Sequence, residues 1–192
     1  MGQAVQANSP RRDEILDAAI QVFGRYGFRK TSVEDLASAA QISKQGLYLH
    51  FASKEEIFVA AMRRYLDDGL AQVRAHLARK DAGLYDRLMG AMDAWFGRHL
   101  ATYTPEALDV IEAGKRLSAE MKDEYSATFQ SALAKALSES VEFKRAKNIC
   151  SPKEVAQVLY LMGVAWKEGH PTRDDFAKKI SICIRACCQV RG

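Results

Sequence analysis

Residues 31–54 read TSVEDLASAAQISKQGLYLHFASK, and the rest of the chain is best understood outward from them. Thr31-Ser32-Val33-Glu34 has the spacing of a capping box, in which a hydroxyl and a carboxylate three residues apart satisfy each other's free backbone N–H groups. A short helix is expected to follow, with Val33, Leu36, Ala37 and Ala40 inward. Ser43 is the next N-cap, which leaves Gln41-Ile42 as a tight turn. A second short helix is expected over about Lys44–His50, anchored by Leu47 and Phe51 four residues apart. Two short capped helices around a tight turn form a helix-turn-helix pattern. Ser53-Lys54-Glu55-Glu56 repeats the capping box and opens a long helix.

The face of the second short helix is unusual. At about 100° per residue, with Leu47 at the origin, Phe51 falls at about 40°, Gln45 at about 160° and Leu49 at about 200°. The buried side therefore passes through Leu47 and Phe51, while Gln45 and Leu49 point outward and Gly46 and Tyr48 flank them. A solvated helix surface favours Ala, Glu, Lys and Arg. Base edges, phosphates and thymine methyls favour a mixture such as this one. Gly46 costs about 1 kcal/mol against Ala inside a helix, and close backbone approach to DNA accounts for that cost. Between Val22 and Lys54 there are five basic residues (Arg25, Arg29, Lys30, Lys44, Lys54) and two acidic ones (Glu34, Asp35). Thr31, Ser43 and Lys54 stand at helix starts, where free N–H groups attract phosphate.

At these residues the sequence resembles the tetracycline-repressor (TetR) family of bacterial transcription regulators. The resemblance covers roughly Arg12–Met62 and rests on ILDAAIQVFGRYGFRKTSVEDLASAAQISKQGLYLHFASKEEIF. Its marks are the G-F-x-x-T-S connection, the I-S-K-x-x-L-Y-x-H-F block and the K-E-x-I-F that follows. The resemblance implies an all-α fold, with a three-helix DNA-binding head joined by a fourth helix to a helical ligand-binding and dimerisation body. It implies a homodimer that binds a near-palindromic operator, usually as a repressor, and is released by a small molecule; a cytoplasmic location with reduced thiols is expected separately, from an N-terminus with no apolar run after its charges. Carried over by position, Lys44, Gln45, Gly46, Tyr48 and Leu49 would face the major groove. Thr31, Tyr48, His50 and Lys54 would hold phosphates. Leu49 departs from the polar or aromatic residue that the family often has there.

The remaining sequence reads as helix throughout, about nine helices in all. Residues 1–8 are expected to be a disordered tail, 9–62 the DNA-binding domain and 63–192 the ligand-binding and dimerisation domain. Ser9-Pro10 starts helix 1, and Gly27 ends it as a left-handed cap. A fifth helix carries Tyr85 through Leu100, Thr104-Pro105 starts a short one, and a long one holds Met121, Tyr125, Phe129, Leu133 and Leu137. Lys144–Asn148 is a basic connection. Ser151-Pro152-Lys153-Glu154 opens a helix ending at Gly169-His170-Pro171, and Thr172 caps the last.

Met and aromatic residues concentrate in two of these helices, and such side chains line adaptable apolar pockets. Met92, Trp95, Phe96, His99, Met121, Tyr125, Phe129 and Trp166 are therefore candidates to touch an apolar or amphipathic organic effector, although at helical spacing core packing is the better explanation for any one of them. The last two helices are apolar over much of their circumference, which calls for burial on several sides. A two-fold helical interface between subunits fits that pattern, with Leu159, Met162, Trp166, Ile180, Cys183, Ile184 and Cys187 as candidates. Cys183 and Cys187 share one face, where they serve as small core hydrophobes or as a redox pair.

Several function classes fit poorly. No run approaches the roughly 20 apolar residues of a membrane span. The four histidines form no HExxH or other metal-ligand spacing, and no glycine-rich phosphate loop or nucleophile motif is present. No enzyme activity, metal or cofactor is expected. Net charge is +4, from 28 basic and 24 acidic residues, too mild to imply a nucleic-acid partner by itself. The alternative to a regulator is a helical adaptor or ligand-binding protein of the same fold without specific DNA binding.

Overall fold

A computed structural model of the chain describes residues 10–99, 104–146, 148–168 and 172–189. The expected tail, the Ser9 cap, Leu100 and the Gly169-His170-Pro171 helix end lie outside them. The described residues form ten α-helices: α1 (Pro10–Lys30), α2 (Val33–Ala39), α3 (Lys44–Tyr48), α4 (Lys54–Leu77), α5 (Leu84–Trp95), α6 (Pro105–Leu117), α7 (Ala119–Glu139), α8 (Val141–Arg145), α9 (Pro152–Glu168) and α10 (Arg173–Cys188). A 3-10 turn, Gly97–His99, follows α5. The helix beyond the expected nine is α8, which falls partly on the basic connection. Buried Ser140 starts it by accepting the Phe143 N–H at 3.3 Å.

The chain divides into two compact units, Met1–Leu66 with Tyr103–Met121, and Asp67–Thr102 with Lys122–Gly192. Helix α6 thus belongs with the N-terminal unit, although it lies in the chain among residues of the other.

In the first unit, α1 to α4 close around Ile15, Leu16, Phe23, Leu36, Leu47, Phe51, Ile57 and Phe58. Phe58 meets Phe23 and Phe28 edge-on, at centroid distances of 5.2 and 4.9 Å. Each buried ring contributes about 1.5–3 kcal/mol through burial, and such pairs add about 0.5–1.5 kcal/mol. Helix α6 puts Ala113 into this core and packs Val110 and Leu117 against it. Helix α1 breaks where expected, at Gly27, but as a kink with φ 79° and ψ 174°, and one more turn continues to Lys30. A Cβ at Gly27 would lie 2.7 Å from an Asp109 carboxylate oxygen. That carboxylate accepts the Arg29 backbone N–H at 2.7 Å and pairs with the Arg29 side chain at 3.0 Å.

In the second unit, Leu84, Leu88, Met92, Phe129, Leu133, Leu159, Phe176, Ile180 and Ile184 are buried. Gly83 precedes α5 and has no side chain to cap it, so Glu142 on α8 accepts the Leu84 N–H at 2.8 Å instead. Thr172 and Ser151 cap α10 and α9 as their spacing predicts, by accepting the Asp175 and Glu154 N–H groups at 3.1 and 3.3 Å.

Candidate nucleic-acid interface

Local sequence builds the helix-turn-helix almost residue by residue, with one shift in register. The N-cap of α2 is Ser32, not Thr31. Ser32 accepts the Asp35 N–H at 3.1 Å, and the Asp35 carboxylate accepts the Ser32 N–H at 2.8 Å. The Ser32 hydroxyl also donates to that carboxylate, at 2.6 Å, and with the Ser32 N–H holds the Asp35 carboxyl below its ordinary pKa, the hydroxyl contributing most. Thr31 is 2% exposed and donates its hydroxyl to the Gly27 carbonyl at 2.6 Å, bridging the kink in α1.

Helix α2 ends in a Schellman motif: Ile42 N–H donates to the Ala37 carbonyl and Gln41 N–H to the Ser38 carbonyl, both at 3.0 Å. Gln41 occupies the left-handed position, with φ 55°. Ser43 then caps α3 by accepting the Gly46 N–H at 3.0 Å. Helix α3 is shorter than expected: it ends at Tyr48, with Leu49 as its C-cap and His50 in a turn.

The helical wheel places the side chains as the structure does. Leu47 and Phe51 are buried. Ser43, Lys44, Gln45, Tyr48 and Leu49 are exposed, Leu49 by 77%, while Gly46 and His50 are half-buried. A row of exposed apolar and polar groups thus runs along the outside of α3, next to one cation. That cation, Lys44, reaches Glu34 on α2 at 2.5 Å. The hydrogen bond raises the Lys44 pKa and lowers that of Glu34.

Two expected phosphate contacts are placed elsewhere. Thr31 is inside. Lys54 donates to the carbonyls of Phe28 and Thr31, at 3.0 and 2.9 Å, with its ammonium 4.4 Å from the Phe28 ring centroid. It neutralises the carbonyl end of α1 rather than joining the outer row of α3. Sequence reading also missed Arg11 and Arg12, because it treated the first turn of α1 only as the edge of an apolar stripe. Both donate to backbone carbonyls of the helix-turn-helix.

In the second unit, the effector candidates Trp95, Phe96 and Phe129 come together. Trp95 stacks on Phe129 at 5.0 Å, and Phe96 meets it edge-on at 5.8 Å. Tyr160 and Phe176, which sequence reading did not single out, complete the cluster at 6.0 Å from Phe96. Met92 and Tyr125 are buried, and the Tyr125 hydroxyl donates to Asp67 at 2.5 Å. Met121, also buried, closes the first unit, and Trp166 is half-buried near the end of α9. The side chain of His99 lies outside the described residues.

The interface candidates separate by exposure. Leu159, Ile180 and Ile184 are buried within the chain itself, and Cys183, Cys187 and Trp166 are half-buried. Met162 is outward, with Val158, Leu161 and Ala165 on α9 and Ile182 and Ala186 on α10. Among the described residues, no group of three or more His, Cys, Asp or Glu is placed to hold a metal ion. No described helix is long and apolar enough to cross a membrane.

Comparison with known proteins bears on the first unit above all. Residues 15–61 match the model of bacterial regulatory proteins of the tetR family. The chain is 41% identical over 93 residues to the HTH-type transcriptional repressor KstR2 of Mycobacterium tuberculosis, covering 48% of this chain and 46% of that one. It is 38% identical over 74 residues to the HTH-type transcriptional regulator RutR of Escherichia coli K12, covering 38% of this chain and 35% of that one. The chain therefore matches a third to a half of the length of these curated relatives. A TetR-like transcriptional regulator from Rhodococcus sp. RHA1 shares the fold over 97% of both chains, with a TM-score of 0.59 and 25% identity. The helix-turn-helix of this chain is thus similar in sequence to that of the tetR family of bacterial regulatory proteins, and its all-helical fold is shared along its length with a TetR-like regulator.

Proposed function

We propose that the protein is a transcriptional regulator that binds a near-palindromic operator as a homodimer and is released by a small organic molecule. The observation that carries this reading is the outer row of α3. Leu49, Tyr48 and Gln45 are held outward by a buried Leu47 and Phe51, and a row of that chemistry suits a major groove better than bulk water. In this reading Ser43, Lys44, Gln45, Gly46, Tyr48 and Leu49 meet the groove. His50 and the Tyr48 hydroxyl approach phosphates, while Thr31 and Lys54 act from inside by fixing the backbone between α1 and α2. The outward apolar residues of α9 and α10 form the subunit interface. The aromatic cluster of the second unit adjoins an apolar or amphipathic effector, in the cytoplasm of a bacterium.

Fluorescence-anisotropy titration against tiled duplexes from the gene's own upstream region, at two salt concentrations, tests this reading. One tile bound far more tightly than the rest, and weakened by salt as released counterions require, supports it. Equal affinity for every tile and for unrelated DNA contradicts it.

A further inference from the structure

Helix α3 has five residues, far fewer than the roughly 12–15 at which an isolated helix becomes even marginal in water. Its pose must be imposed from outside. Leu47 and Phe51 anchor one side, but apolar contacts are non-directional and do not fix rotation about the helix axis or its slide along it. Directional contacts come from the first turn of α1. The Arg12 guanidinium donates to the His50 carbonyl at 2.6 Å and lies 4.0 Å from the Phe51 ring centroid. It also reaches Glu56, in the first turn of α4, at 3.8 Å. Its neighbour Arg11 donates to the carbonyls of Ala40 and Gln41, at 3.2 and 3.3 Å, and pairs with Glu14 at 2.6 Å. The two arginines thus grip both ends of the turn-and-helix element, one at the carbonyl end of α2 and one just past α3. Carbonyls at helix ends carry partial negative charge and lack intrahelical partners. A planar guanidinium with five donors can stack on a ring and bond a carbonyl at once, which an ammonium cannot do with the same fixed geometry.

We propose that Arg12 is a positioning residue for the recognition helix: it holds the His50 carbonyl and the Phe51 ring so that Tyr48 and Leu49 stand in register with base edges, without touching DNA itself. Arg11 holds the preceding turn in the same way. The proposal rests on the DNA-binding reading above, and its test separates the two.

Wild type, Arg12→Lys, Arg12→Ala and Arg64→Ala are compared by three readouts: the ratio of operator to non-operator affinity, the salt dependence of operator binding, and amide exchange in the DNA-free protein. Arg64 is the control, since its ion pairs join α4 to Asp13 and Asp17 of α1. Arg12→Ala is expected to lower operator affinity about tenfold, the order of a lost charged hydrogen bond. Non-operator affinity and the salt slope stay unchanged, because no phosphate contact is lost. Exchange quickens at the His50 and Phe51 amides, while residues 15–22 keep their protection. Arg12→Lys falls between, and Arg64→Ala keeps the wild-type ratio. A salt slope reduced by about one with the affinity ratio intact would make Arg12 a phosphate contact and overturn the proposal. Exchange that quickens evenly across α1 to α4 would reduce it to a general stabiliser and overturn it equally. Should wild type bind every duplex alike, the DNA-binding reading fails on its own, and unchanged exchange at His50 and Phe51 then overturns the clasp.

Discussion

The two units solve opposite packing problems. The first buries four phenylalanines and spends its polar groups on backbone: Thr31, Lys54, Arg11 and Arg12 all donate to carbonyls near helix ends. It keeps a short helix in place with Gln45, Tyr48 and Leu49 outward and Leu47 inward. The second gathers Trp95, Phe96, Phe129, Tyr160 and Phe176 into a cluster drawn from α5, the 3-10 turn region, α7, α9 and α10. There the backbone leaves little spare room, since a Cβ at Gly163 would sit 2.3 Å from the Phe96 ring. The first unit is organised to present a surface and the second to fill an interior.

The sharpest way to break that comparison is to remove the central ring of each unit. Phe58 and Phe129 are both 0% exposed, and truncating either to alanine is expected to cost about 3–5 kcal/mol. For Phe129→Ala the loss is read by tryptophan fluorescence in urea, because both tryptophans, Trp95 and Trp166, lie in the second unit. For Phe58→Ala it is read by amide exchange in α1 to α4. Tyr48→Ala is next in size, with the opposite signature. It is expected to weaken operator binding about tenfold, or about 1.4 kcal/mol, while thermal stability and dimerisation hold, because the side chain is 47% exposed. Gln41→Gly changes less and in the stabilising direction. Glutamine at φ 55° bears a left-handed backbone that glycine adopts freely, so the first unit gains up to about 1 kcal/mol in chemical denaturation.

The smallest effect at neutral pH becomes visible at the extremes. Burial raises the thiols of Cys183 and Cys187 and pushes Cys188 up from 9.0 to about 12. A group whose folded pKa is raised binds its proton more tightly in the folded state. Its contribution is therefore whole below about pH 9 and is lost as pH climbs from there toward 12. In the first unit the sign reverses. Hydrogen bonding from Arg64 holds Asp17 below its ordinary value, so that contribution is present above the carboxylate range and is lost as pH falls through it. Denaturation midpoints followed by tryptophan fluorescence should fall above pH 9, and exchange at the α1–α4 contact should quicken first in acid.

The same contrast explains what the sequence made legible. Caps, the tight turn at Gln41-Ile42 and the inward pair Leu47 and Phe51 are set by residues within about four positions of one another, so spacing alone exposes them, though not the left-handed backbone of Gln41. Even there, adjacent Thr31 and Ser32 both suit an N-cap. The kink at Gly27, which brings its carbonyl to the Thr31 hydroxyl, decides for Ser32. Helix α6 was readable as a helix from Thr104-Pro105, yet its place beside α1 rests on Asp109 fitting where Gly27 has no side chain, a contact 82 positions apart that no local pattern announces. Helix α8 was hidden for a related reason: five residues show too little periodicity, and its purpose is to lend Glu142 to Leu84 across the unit. Among the interface candidates, periodicity gave two apolar faces to α9 and α10 but not which one turns inward. The structure assigns Leu159, Ile180 and Ile184 to the interior and Val158, Leu161 and Ile182 to the outside.

The central claim, that the outward row of α3 reads base pairs, is tested most directly by measuring the affinity for every single base-pair substitution of the operator, for wild type and for Tyr48→Ala and Leu49→Ala. Wild type should discriminate by about 1–3 kcal/mol at several positions in each half-site. Each variant should flatten the profile at one or two of those positions and leave the others as they were. Profiles in both variants that parallel wild type at every position, displaced only by a uniform loss of affinity, would contradict the account.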